Sequence, residues 1–120
     1  MNLAIETLVQ DQFDAYNARD IERFMIYWAS DCQYFAFPDQ LLAEGAEAIR
    51  ERHVERFKEP NLHGRLVNRI SMGDLVIDRE VVSRIFPEGA DEIDVAMCEI
   101  RNSKIAKAWF KMGERRLNQD

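Results

Sequence analysis

The chain has 120 residues, 47% of them hydrophobic and 10% aromatic, which suffices for a single domain with one core. Its 16 basic residues against 22 acidic ones leave a net charge of −6 and a pI near 5.0, which excludes the basic stripe that nucleic-acid partners need. No apolar run approaches the roughly 18 residues that cross a bilayer, the N-terminus lacks the basic segment of a secretory signal, and Cys32 and Cys98 are too few for a disulfide framework or a zinc site. A reduced, cytoplasmic protein with no membrane partner is the expectation.

Residues 2–17 show apolar side chains at helical spacing: Ile5, Leu8, Val9, Phe13 and Tyr16. After a break at Asn17-Ala18-Arg19, Asp20 has the character of an N-cap for a second helix over Ile21–Ala29. Cys32–Phe37 is a short extended run stopped by Pro38-Asp39, and Leu41–Glu44 is another. Gly45 then opens a third helix, Ala46–Lys58, whose stripe of Ile49, His53 and Phe57 is apolar apart from the histidine.

Four long strands follow. Leu62–Met72 turns at Gly73-Asp74 into Leu75–Phe86, which turns at Pro87-Glu88-Gly89 into Glu92–Arg101, which turns at Asn102-Ser103 into Lys104–Met112, ended by Gly113. Helices first and an antiparallel meander after predict an α+β fold, with three helices on one face of a curved sheet and a cone-shaped hollow between the layers.

Alternation divides each strand into two sets. The inward sets are expected to be Leu62, Gly64, Leu66, Asn68, Ile70 and Met72; Leu75, Ile77, Arg79, Val81, Ser83 and Ile85; Asp94, Ala96, Cys98 and Ile100; and Ala106, Ala108, Phe110 and Met112. A bulge would flip the second of these and turn Asp78 and Glu80 toward the hollow instead. The outer face mixes charge with Val82, Met97 and Trp109, a composition suited to a homodimer interface.

Several short stretches carry a resemblance: Tyr16–Asp20, Trp28–Cys32, Glu44–Arg50 and Lys104–Phe110. In this order and at this length the chain resembles SnoaL-like and ketosteroid-isomerase-like members of the nuclear transport factor 2-like superfamily. The resemblance implies a cystatin-like fold with a small-molecule cavity and no cofactor. It also implies proton shuttling beside a ketone by an Asp base, a Tyr and a protonated Asp. Those three positions fall near Phe37, near Gln12 or Phe13, and near Cys98, so none carries the expected group.

Catalytic candidates are therefore drawn from the residues themselves. His53 has a pKa range suited to acid–base work. Asp39 lies two residues past the family's base position. Arg79, with Asp94 or Asp39 as partner, could anchor a ligand carboxylate. His63 falls at the polar start of its strand and reads as surface. Tyr16, Trp28, Tyr34, Phe37, Phe57 and Phe110 imply a small apolar ligand, and Asn68 and Cys98 could hydrogen-bond to it. No Cys/His array, phosphate loop or nucleophile elbow is present, so neither metal nor cofactor is expected. Two functions fit: a cofactor-free isomerase, cyclase or dehydratase, or a non-catalytic binding or scaffold module.

Overall fold

A computed structural model describes residues 3–84 and 90–117. Its elements are α1 (Leu3–Ala18), α2 (Ile21–Met25), β1 (Trp28–Ala36), β2 (Gln40–Glu44), α3 (Ala46–Arg56), β3 (His63–Met72), β4 (Leu75–Arg84), β5 (Ala90–Arg101) and β6 (Lys104–Leu117). The α+β expectation holds. A six-stranded sheet runs in the order β2-β1-β6-β5-β4-β3, antiparallel throughout except for the parallel pair β1 and β6.

α1 buries Ile5, Val9, Phe13 and Tyr16, as its spacing predicts. Asp20 caps α2, its side chain accepting from the Arg23 amide at 3.1 Å. This helix ends at Met25 and not at Ala29. The Tyr27 carbonyl instead accepts from the Ile105 amide at 2.7 Å, and Trp28 opens β1 beside Ile105. Ladder pairing with β6 thus overrides another helical turn. Asn17 ties α1 to β3, donating to the Gly64 carbonyl (2.9 Å) and accepting from the Gly64 amide (2.7 Å). Gly64 needs its missing side chain, since a Cβ there would meet the Phe13 ring at 3.0 Å.

The facing of β3 and β4 is the main correction. The β3–β4 register shifts between Leu66 and Asn68, around Val67. Before the bulge Gly64 is buried, as expected. After it Arg69 and Ser71 turn inward, while Asn68, Ile70 and Met72 are exposed. On β4 the inward set is Val76, Asp78, Glu80 and Val82, and Arg79 is exposed, paired in register with Asn68. Val82 therefore belongs to the core and not to the outer face. Asp94, Ala96, Cys98 and Ile100 of β5 face inward as read, and so do Ala106 and Ala108 of β6.

β6 continues past Met112 through Gly113, which sits beside a shift in the β5–β6 register; a Cβ there would lie 2.3 Å from the Ile93 carbonyl oxygen. The turn expected at Pro87-Glu88-Gly89, with Ile85 and Phe86, lies outside the described residues. On the outer face, register partners align Leu41, Phe35, Trp109, Met97, Ile77 and Ile70 in one row across all six strands. Phe35 and Trp109 stack there, with centroids 5.7 Å apart.

Candidate functional site

The concave face of β4 and β5 forms an acidic wall. Asp78 and Glu80, two residues apart, point the same way. Asp94 is the register partner of Glu80 on β5, so the two carboxyl groups stand directly opposite each other, an arrangement that costs energy when both are charged. All three are buried, with exposures of 2%, 7% and 2% for Asp78, Glu80 and Asp94.

Asp78 is paired with Arg69. Arg69 reaches across from β3 in a two-pronged contact, Nε to Oδ1 at 2.6 Å and Nη2 to Oδ2 at 2.8 Å, and its Nη1 donates to Gln10 Oε1 at 2.9 Å. The contact raises the Arg69 pKa further. Glu80 makes no ion pair with any described residue. Burial, and then the neighbouring Asp78 and Asp94 carboxylates, push its pKa up to about 8. Glu80 therefore carries a proton at neutral pH.

Opposite stands an aromatic wall, with His53 of α3 at its centre. Rings of Phe24 (4.6 Å), Tyr34 (5.7 Å), Phe57 (5.9 Å), Tyr16 (6.4 Å) and Trp28 (6.4 Å) surround the imidazole. Its Nδ1 lies 2.9 Å from the Ile49 carbonyl oxygen, one turn back, which assigns the ring proton to Nδ1. Burial drives its pKa down to about 4 against the pull of that hydrogen bond, with the charges of Arg56 and Arg52 adding to the fall. The ring is neutral across the physiological range.

Tyr16 and Tyr34 bring hydroxyls to this wall. Arg56 Nε donates to Tyr16 Oη at 2.8 Å. Burial raises the Tyr34 pKa to about 12, so its hydroxyl keeps its proton. The indole Nε1 of Trp28 is buried with no hydrogen-bond partner.

Between the walls lies an inner chamber of about 30 Å³, room for one or two waters. His53, Asp78, Glu80, Trp28 and Cys98 contribute to its lining. Beyond it opens an outer chamber of about 240 Å³, bounded by Phe37, Leu42, Arg52, Asp94, Lys111 and Met112 among others. Tyr34, Arg56 and Phe110 belong to both and form the partition.

Of the residues singled out from sequence, Tyr16, Trp28, Tyr34, His53, Cys98 and Phe110 meet at the inner chamber. Phe37 is 48% exposed and reaches only the outer one. Phe57 packs against His53 but lines neither. Asp39, Arg79 and Asn68 lie exposed and line neither. Asn68 is turned away by the β3 bulge, Arg79 lies on the outer set of β4, whose pairing with β5 is unbroken, and Asp39 sits in the turn between β1 and β2. At the three family positions, Gln12 and Phe13 line the inner chamber, Cys98 is a buried thiol whose pKa burial pushes up, and Phe37 stands at the outer mouth. Arg52, Arg56 and Gln12 had no signal beyond helical spacing. Glu80 had one: Asp94 shares its inward set with Ala96 and Cys98, and it stands opposite Glu80.

The SnoaL-like domain profile matches residues 9–107, most of the chain. The chain belongs to the SnoaL-like family. No curated protein sequence matches it. Among solved structures it is similar to an uncharacterised cystatin-fold protein of Novosphingobium aromaticivorans (TM-score 0.81, 23% identity, covering 89% of this chain and 96% of that one). It is also similar to a Sinorhizobium meliloti protein described provisionally as a polyketide cyclase (TM-score 0.76, 22% identity, 87% and 93% covered). A third is a Kribbella flavida protein described provisionally as a ketosteroid isomerase (TM-score 0.80, 14% identity, 98% and 83% covered). At these identities the likeness is one of fold. No described helix is long and apolar enough to cross a membrane, and no group of three or more metal-ligating side chains occurs among the described residues.

Proposed function

We propose that this chain is a cofactor-free enzyme that moves a proton beside the carbonyl of a small, largely apolar ketone, with Glu80 as the proton carrier. The observation that carries this reading is a buried carboxyl group beside two others, with its pKa held near 8. In its ionised form Glu80 takes a proton from the carbon next to the carbonyl. The carbonyl oxygen becomes an enolate oxygen, held by the Tyr16 and Tyr34 hydroxyls, with Arg56 strengthening Tyr16 as a donor. Glu80 then returns the proton to another carbon, completing an isomerisation with no net change in protons. Burial, and then the Asp78 carboxylate locked to Arg69, keep the Glu80 pKa high. Two structures of similar fold are described provisionally as a polyketide cyclase and a ketosteroid isomerase, names in keeping with a ketone ligand.

The test is hydrogen exchange in D2O. Wild-type protein should exchange the protons beside the carbonyl in at least one of a panel of aryl and cyclic ketones, faster as pH rises toward about 8. Glu80→Gln should slow this by about 100-fold or more. Unchanged exchange in that variant would sink the reading.

The small inner chamber favours a second reading, a non-catalytic binding or accessory module. It predicts a bound ketone with no exchange above the buffer rate. In either case the row from Leu41 to Ile70 on the outer face fits a homodimer interface, with Glu99 and Lys107 in register as a charged pair beside it. Trp109→Glu should convert a sedimenting dimer to monomer; a wild-type monomer at micromolar concentration rules the dimer out.

A further inference from the structure

We propose that Arg52 and Arg56 form an anchor for the carboxylate of an organic acid, so that the ketone handled at Glu80 carries a carboxylate at its outer end. This rests on the reading of the chamber as a substrate site and adds the substrate's class. The two arginines stand one turn apart on α3 and so share a face. Each guanidinium lies over a tyrosine ring, Arg52 over Tyr34 at 5.2 Å and Arg56 over Tyr16 at 5.9 Å. Each guanidinium also reaches its tyrosine's hydroxyl, Arg56 through Nε, and stacking on the ring holds the plane in place while its other N–H groups remain to meet a ligand. Neither forms an ion pair with a described residue, and Arg56 spends only its Nε, on Tyr16. Other cations of the same helix region are paired: Arg50 with Glu22, and Lys58 with Glu55 at 2.9 Å.

Both arginines line the outer chamber, and Arg56 also lines the inner one. Lys111 approaches from β6. The acids near this mouth are Asp94 within the chamber, and Glu55 and Glu59, which share a groove on the solvent side with the two arginines. Three cations against one carboxylate inside the chamber suit a ligand with a single negative charge. Phe37, Leu42, Phe110 and Met112 offer the apolar contacts its body requires. In a chain of net charge −6 this mouth is where an anion would be drawn in. A carboxylate held here would aim the far end of its molecule past Phe110 at the acidic wall.

The test compares 3-benzoylpropionate with its methyl ester, by titration calorimetry and by the arginine Nε–H resonances. The acid should bind at least about tenfold more tightly than the ester and weaken as salt rises, while the ester does not. Arg52→Gln changes an exposed side chain, so the fold should survive. It should reduce the preference to about threefold or less and leave ester binding unchanged. The proposal is overturned if acid and ester bind alike, or if the preference survives in Arg52→Gln. It is also overturned if neither the acid nor benzoate, at about 10 mM, shifts the Arg52 and Arg56 resonances. Glu80→Gln separates this from the catalytic reading. It should bind the acid as the wild type does yet lose exchange. Acid preference together with unimpaired exchange in Glu80→Gln would refute the role of Glu80 and leave the anchor standing.

Discussion

The two walls of the inner chamber face the same loss of solvent and answer it in opposite directions. On the aromatic wall, burial strips His53 of its proton, and its pKa falls to about 4. On the acidic wall, burial and two neighbouring carboxylates force a proton onto Glu80, and its pKa rises to about 8. Both groups are neutral at pH 7, yet they are not equivalent. Glu80 sits within about one unit of neutrality, where proton loss and gain are both cheap. His53 sits about three units below it, donating to Ile49 and enclosed by rings. Desolvation and nearby like charge act on both groups; they carry the histidine far below neutrality and leave the carboxyl close to it.

The largest effect should come from dismantling what holds the acidic wall. Arg69→Met leaves Asp78 buried, charged and alone, and should cost about 3–5 kcal/mol in chemical denaturation. A loss below about 1 kcal/mol would mean that water reaches Asp78 and that the wall is not dry.

His53→Ala comes next. It removes the hub of the aromatic cluster and should cost about 2–4 kcal/mol. Exchange per folded molecule should show no drop of the size expected for Glu80→Gln. A comparable drop would transfer the proton-carrying role to the histidine and reverse the comparison.

Stability against pH should sharpen the contrast, because the two groups act at opposite ends. Between pH 4.5 and about 8 the folded chain keeps a Glu80 proton that the unfolded chain has lost, so this contribution declines as pH rises. Glu80→Gln abolishes that decline and should stabilise the protein at pH 7, by up to about 3 kcal/mol. Between pH 6.5 and about 4 the unfolded chain binds a His53 proton that the folded chain refuses, so stability falls as pH falls. His53→Gln should flatten only that acid limb. Thermal melts across pH would show each limb vanish separately.

The smallest effect concerns a residue that lines neither wall. Asn17→Ala unties α1 from β3 and should cost about 1–2 kcal/mol, leaving both pH limbs in place.

Much of this fold could be read along the chain, and less of its site. Segment order, the Asp20 cap and the inward set of β5 follow from periodicity and turn chemistry. β4 resists such reading because its two alternating sets are nearly equal in hydropathy. Leu75, Ile77 and Val81 make the outer set look like core, and they belong to a face that is itself apolar. Val76 and Val82 flank Asp78 and Glu80 on the true inner set. Pairing with β5 decides between them, since Val76, Asp78 and Glu80 stand in register with the inward Cys98, Ala96 and Asp94, and the bulge around Val67 that refits β3 to this face carries no local mark. The long-range clue is charge: Arg69 and Asp78, register partners, meet because they share a face. Likewise Trp28 completes a helical stripe locally and becomes a strand residue through pairing with β6, a partner 77 positions away in register at Ile105.

The most direct measurement is a carbon NMR titration of the Glu80 side-chain carboxyl in protein labelled at glutamate, assigned through Glu80→Gln. The account predicts a single step near pH 8, shifting downward in Asp78→Asn as one repelling charge is removed. A step near the ordinary 4.5 would mean that the carboxyl is solvated and ionised at neutral pH, and the acidic wall would then be no proton carrier.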